Sequence, residues 1–282
     1  MQRAYVEPSV INRVADLGFP ADSVRDFVAR HGFEPATGLH SVYELARSFL
    51  GGDAVSTARG RTLFILLRDL DPIYQPGPDD LLQSEVQKLR WKVPVVSFLD
   101  PLKVAATQNE VSRLAEGVFD TRARRFISAK EKEKEQALNA EENHVVLVRS
   151  FRKADRSIRG LKTFDHVWRY FESRGEIPLC IKEILGGAVS LDEAKELAAC
   201  PSSFPAITAA VRANAYLNFI MISNATRPGK DKLDDYKHCF EASYCDAFIT
   251  ADRQQETAMR AICPKIPVFN WNNTLRTAVE AR

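Results

Sequence analysis

Residues 234–253 read DDYKHCFEASYCDAFITADR. Wound as a helix, the first half puts Asp235, His238, Cys239 and Ala242 on one face. Ala247-Phe248-Ile249-Thr250 is a short apolar run with β-forming residues, so a strand is expected there, ending just before Asp252. A helix is expected from about Gln254 to Ile262. Lys265 to Phe269 reads as a last strand, with Pro267 placing it at a sheet edge.

The other end of the chain repeats this alternation. Ala4 to Val6 forms an apolar run that stops at Glu7-Pro8, because proline cannot donate to a ladder but suits the first turn of a helix. Val10, Ile11 and Val14 recur at helical spacing, and a second helix is expected from Ala21 to about His31. Phe33 to Leu39 reads as a strand. Ser41, with Glu44 three residues on, looks like a capping box. Gly51-Gly52 should end that helix, and another fits Thr57 to Leu70. Asp71 to Pro78 is rich in proline and glycine and reads as a loop. Helical spacing returns from Leu81 to Trp91. Strands alternating with helices predict an α/β fold with a central, mostly parallel sheet flanked by helices.

The middle differs. Residues 121–159 are crowded with both charge signs, including the run Lys130-Glu131-Lys132-Glu133-Lys134-Glu135. Such alternation suits a solvated helix with intrahelical ion pairs. The expected organisation is a core made of residues 1–95 and 230–282, with a mainly helical insertion, 96–229, able to arch over a site.

Composition narrows the function classes. The chain has 282 residues, 45% of them hydrophobic, and a net charge of +2, so no global basic excess marks it as a nucleic-acid binder. No run of about 18 apolar residues predicts a membrane span, and no secretory signal is visible at the N-terminus. The five cysteines are scattered, without a C-x-x-C pair, which fits a reducing cytoplasm. Ser9 has no Gly-x-Ser-x-Gly elbow around it. Arg227-Pro228-Gly229-Lys230 lacks the full phosphate-loop pattern.

Four carboxylates stand out by placement. Glu7 and Asp252 lie just beyond strands, Glu44 in the first turn of a helix, and Asp235 at a helix start. Functional groups in open parallel sheets gather outside the carboxyl ends of the strands. Carboxylates forced together repel unless a cation offsets them. Hard ions such as Mg²⁺ or Mn²⁺ take oxygen ligands and support phosphodiester hydrolysis. The competing expectation for each is a helix cap or a partner of the helix dipole. His238 is expected to pack or hydrogen-bond rather than to bind metal. Glu85 is expected on a solvated helix face, with reach to the site as the alternative.

The stretches AYVEPSVINRVADLGF (residues 4–19), SVYELARSF (residues 41–49) and DDYKHCFEASYCDAFITADR resemble the three acidic motifs of PIN-domain nucleases, in the family's order. The resemblance covers roughly the first 90 and the last 50 residues. It implies a PIN-like α/β fold and a metal-dependent endoribonuclease. Glu7, Glu44, Asp235 and Asp252 would be the catalytic metal ligands for Mg²⁺ or Mn²⁺, with Ser9 and Thr250 orienting them. Asp234, adjacent to Asp235, and Asp246 are supporting candidates. Arg212, Arg227 and Lys230 are candidates for holding an RNA backbone. The first acidic position is usually Asp in that family and is Glu7 here, followed by Pro8. That departure supports a second expectation, a catalytically weakened nucleic-acid or protein binding module. A structure-specific DNA nuclease is the third, suggested by the basic residues of the insertion. Many small members of the family are toxins held by an antitoxin, but no segment here predicts such a partner.

Overall fold

The computed structural model describes residues 2–132, 134–135, 161–224 and 232–273. The first part runs β1 (Gln2–Val6), α1 (Pro8–Leu17), α2 (Asp22–Arg30), β2 (Phe33–Gly38), α3 (Leu39–Ala46), α4 (Ala54–Leu70), β3 (Ile73–Gln75), α5 (Pro78–Trp91) and α6 (Pro101–Ala115). Residues 121–132 are helical and are labelled α7. Then come α8 (Phe164–Arg174), α9 (Glu176–Ile184), α10 (Leu191–Ala199), α11 (Pro205–Asn224), α12 (Lys232–Ala242), β4 (Ala247–Thr250), α13 (Arg253–Ile262) and β5 (Val268–Asn270).

The five strands form one sheet in the order β3-β2-β1-β4-β5, and every pairing is parallel. The chain moves outward from β1 through β2 to β3. It then crosses to the other side of β1 for β4 and β5. The switch in direction lies between β1 and β4, where open α/β sheets form the crevice that takes ligands. The expected β5 lies at an edge, and Pro267 sits just outside it, lending its carbonyl to Phe248 N. One strand was not expected. Ile73–Gln75 pairs with β2 inside the stretch read as a loop, because three residues are too few to show a period.

Strand pleating sends alternate residues to opposite faces. Ala4, Val6, Ala247 and Ile249 pack with Val10, Val14, Phe27 and Phe64 from α1, α2 and α4. Tyr5 and Phe248 stack in parallel on the other face, with Ala209 and Ala213 of α11 and Cys239 of α12. The middle of the chain therefore supplies α11, which packs on α12 and α13 in the helical layer of this face. A third cluster joins α5 to α9, α10 and α11 through Leu81, Leu89, Ile181 and Ile207.

Glu85 of α5 is fully buried, which corrects the solvated face expected of it. Its carboxylate accepts Ala206 N and Ile207 N, both at 2.8 Å, and Tyr244 Oη at 2.5 Å. It thus caps the N-terminus of α11 from a neighbouring helix, where unpaired amides and dipole favour an anion. Burial pushes its pKa up, against these bonds. Glu85→Ala leaves two amides and a hydroxyl without a partner. The expected loss is about 3 kcal/mol, read as a lower urea midpoint with an unchanged slope.

Candidate functional site

The chain direction that ends β1 also exposes its chemistry. Pro8 occupies the first turn of α1, so Glu7 is the N-cap by position, yet its side chain makes no cap bond. Its carboxylate turns to two hydroxyls instead. Ser9 Oγ and Thr250 Oγ1 (2.9 Å) both donate to Oε2. Each hydroxyl is in turn oriented by a backbone amide, Ser9 by Ala251 N and Thr250 by Asp252 N, both at 2.9 Å. Oε1 of Glu7 accepts no hydrogen bond among the described residues. Burial pushes the Glu7 pKa up. The charge of His238 and the Ser9 hydroxyl pull it back, and the charge of Glu44 pushes it further up.

A second group lies beside it, at the ends of β1 and β2. Tyr5 Oη donates to Glu241 Oε2, and burial together with the Glu241 charge holds its pKa well above the ordinary phenol value. With its proton so placed, the phenol oxygen accepts from Ser41 Oγ (2.9 Å) and from His238 Nδ1 (2.8 Å). His238 Nε2 lies 3.0 Å from Glu44 Oε2. Burial alone would lower the imidazole pKa. The Glu44 charge, the nearby Glu241 carboxylate (3.9 Å from Nδ1), the bond to Glu44 and the Glu7 charge outweigh that and hold it well above its usual range. Burial opposes ionisation of Glu44 as well, but His238 and the nearby His40 hold its pKa well below the usual carboxylate value. Glu44 and His238 therefore pair as carboxylate and imidazolium.

His40 completes this group. Its Nε2 is 3.6 Å from Glu44 Oε1, beyond hydrogen-bonding distance, and it is buried with no hydrogen-bond partner among the described residues. One donor atom from each of His40, Glu44 and His238 lies within 4.8 Å of the others. A cleft of about 550 Å³ adjoins His40 and is lined also by Tyr43, Asp79, Lys134, Tyr236 and Lys237. The described end of the charged segment leans over this side. Glu131 of α7 accepts from Tyr43 Oη at 2.6 Å and pairs with Arg47 at 2.7 Å.

The last two expected acids sit across the switch point. Asp252 caps α13, its Oδ1 accepting Gln254 N (2.6 Å) and Gln255 N (3.3 Å). Asp235 lies in the first turn of α12, and its carbonyl accepts Gln255 Nε2 at 2.5 Å. The buried Gln255 so links both. Asp235 and Glu7 both raise the pKa of the buried Cys239, after burial itself and Cys263. Glu7, Ser9, Thr250 and Asp252 thus lie at the carboxyl ends of β1 and β4, and the charge of Glu44 reaches Glu7, whereas among the described residues the donors close enough to share one ion are those of His40, Glu44 and His238.

Other expected residues lie elsewhere. Asp246 precedes β4 and is exposed, joined to Arg3 N at 2.8 Å at the opposite end of the sheet. A four-residue step along the strand separates it from Thr250 by about 13 Å. Arg212 is turned away from any phosphate position. Its guanidinium donates to the Ala261 carbonyl (2.7 Å) and the Ile262 carbonyl (2.9 Å) at the end of α13, and it stacks on Phe164 and Trp168. The helix C-terminus attracts the cation there. Ser41 does not cap α3, which begins at Leu39. It sits inside the first turn with its hydroxyl on Tyr5. Arg227 and Lys230 lie outside the described residues, as does the side chain of Asp234.

His40 and Glu241 were not expected. A signal for each was present in the helical spacing, His40 four residues before Glu44 and Glu241 three after His238. No family model, curated protein or solved structure matches the chain. Among the described residues, no helix is long and apolar enough to cross a membrane.

Gly38 shows how tightly this corner is fitted. It precedes α3, and a Cβ there would lie 1.9–2.1 Å from the buried Glu241 carboxylate. That carboxylate also accepts His40 N at 3.0 Å, capping α3. Gly38→Ala must expel it and strand Tyr5 and the His40 amide. The expected cost is about 3 kcal/mol, read by chemical denaturation against wild type.

Proposed function

We propose that the protein is a metal-dependent nuclease of PIN-like architecture that hydrolyses RNA phosphodiester bonds. The observation that carries this reading is Glu7. It is a buried carboxylate at the switch point of a parallel sheet, placed where a cap would be and not used as one. Two hydroxyls clamp one of its oxygens and leave the other without a hydrogen bond among the described residues. The sequence resemblance to the PIN family points to the same residue as the first acidic ligand.

Glu7, Glu44, Asp235 and Asp252 would hold Mg²⁺ or Mn²⁺. The donor set suits a hard ion. Asp252 Oδ2, like Glu7 Oε1, carries no hydrogen bond among the described residues, and a cation would relieve both the burial that chiefly raises the Glu7 pKa and the Glu44 charge that adds to it. When bound, the ion supplies Lewis acidity toward the phosphoryl group and a more acidic water. Ser9 and Thr250 fix the angle of Glu7. Asp252 is fixed by the helix it caps.

A second reading, a binding module with weakened catalysis, is favoured by one observation. Glu44 is engaged by His238, which reduces its capacity for a hard cation. Calorimetric titration with Mn²⁺ separates the two: no Mn²⁺ binding with intact RNA affinity selects the module.

The direct test is cleavage of structured and unstructured RNA in Mn²⁺ by wild type and Asp252→Asn. Asparagine caps a helix as well as aspartate does, so the unfolding midpoint should not move. Cleavage should fall by on the order of a hundredfold or more, the scale of one lost contact to transition-state charge. Equal cleavage by the two proteins would sink the assignment.

A further inference from the structure

We propose that His40, Glu44 and His238 form a binding site for a transition-metal ion of the Zn²⁺ class, with the cleft beside His40 as its access route. The inference rests on donor geometry and not on the nuclease reading, with which it shares Glu44.

Three observations support it. The first is the donor set. Two imidazoles and a carboxylate favour zinc and its neighbours, whereas Mg²⁺ prefers oxygen alone. The distances of 3.6 Å from His40 Nε2 to Glu44 Oε1 and 3.0 Å from His238 Nε2 to Glu44 Oε2 are near the spacing of donors around one ion. Bonds of about 2.0–2.2 Å put tetrahedral donors roughly 3.4 Å apart. The widest separation in the set, at most 4.8 Å, closes by side-chain rotation of about 1 Å.

The second is the orphaned nitrogen. His40 is buried, and its Nε2 faces Glu44 without a hydrogen bond. Buried polar atoms are nearly always paired, so an unpaired imidazole nitrogen beside a carboxylate marks a place for a third partner. The third is the support behind His238. Tyr5 gives its proton to Glu241 and so must accept from Nδ1. With Nδ1 protonated, Nε2 is the nitrogen that binds metal. A ligating histidine commonly has its second nitrogen held in this way. The ion takes the place of the proton that Nε2 carries in the pair with Glu44. The fourth position would open toward the cleft, where a water or a phosphate oxygen can enter.

The test is a titration of the metal-free, full-length protein with Co²⁺ and Zn²⁺. Co²⁺ held by imidazole and carboxylate at low coordination absorbs in the visible far more strongly than the aqueous ion. One equivalent of Co²⁺ should give this absorption, and one of Zn²⁺ should remove it. Because His40 Nε2 makes no hydrogen bond, His40→Gln should fold normally. It should bind Zn²⁺ at least 10–100-fold more weakly and leave the Mg²⁺ isotherm unchanged. Tyr5→Phe, which removes the acceptor behind His238, should weaken Zn²⁺ by about 10–100-fold. A wild-type protein that develops no Co²⁺ absorption, or a His40→Gln variant with undiminished Zn²⁺ affinity, overturns the proposal. Neither readout uses RNA. Zinc bound through His40 with no RNA cleaved would remove the nuclease reading alone, and cleavage in Mn²⁺ with no Co²⁺ absorption would remove this one alone.

Discussion

The buried pair of Glu44 and His238 constrains the rest of this corner. Taking two charges out of water costs several kcal/mol per ion, and the attraction between them offsets that only when the remaining donors and acceptors are also satisfied. Here three glutamates, Glu7, Glu44 and Glu241, face one imidazole, so the carboxyl groups outnumber the cation. The surplus is spread over dipoles. Glu241 takes the Tyr5 hydroxyl and the His40 amide in the first turn of α3, and Glu7 takes Ser9 and Thr250. Tyr5, Ser41 and Gly38 are then explained by one requirement. Tyr5 supplies Glu241 a donor, Ser41 supplies one to the Tyr5 oxygen behind it, and Gly38 leaves the space that the Glu241 carboxylate fills.

Not every buried carboxylate of this chain carries the same meaning, and saturation separates them. Glu85 accepts three hydrogen bonds, two on one oxygen and one on the other, from a helix terminus and a tyrosine. Nothing remains for a ligand, and its role is architectural. Among the described residues, Glu7 is hydrogen-bonded on one oxygen only, and Asp252 likewise on one. Both stand at the switch point between β1 and β4. Half-saturated anions at that location are what a cation site requires, and Arg212, committed to the end of α13, shows the complementary case among the cations.

Much of the architecture was legible because each element carries its own signal. β1 stops at Pro8, β4 is four apolar or β-branched residues, and the helices between show a clear 3.6 period. β3 was not legible, since three residues inside a proline-rich stretch have no pattern and pair only because β2 is already in place. α11 was harder still. Its apolar residues are spread around the helix because it is covered by α8, α12 and α13 together, so no stripe marks its buried side. At the site, Glu7, Glu44 and Asp252 could be read from their places after strands or near helix starts. Glu85 could not, because its partners come from over a hundred residues away. His40 and Glu241 were visible only as spacing, and spacing gains meaning once Glu44 and His238 are known to face each other.

How the two halves of the site keep their register follows from Gln255. Its backbone amide belongs to the first turn of α13 and bonds Asp252, while its side-chain amide holds the Asp235 carbonyl. Two acids on different helices are thereby tied to one residue, and each is tied again to the sheet, Asp252 through Thr250 and α12 through Tyr5 and His238. The chain separating these groups from Glu7 and Glu44 is long, but the mechanical path is short, running across the paired ends of β1 and β4. A substitution in the connecting helices can therefore alter stability while leaving the acids in place, whereas a change at Tyr5, Thr250 or Gln255 acts on their geometry directly. The site is best understood as a property of the sheet edge, with the helices serving to fix the angle at which each carboxylate leaves it.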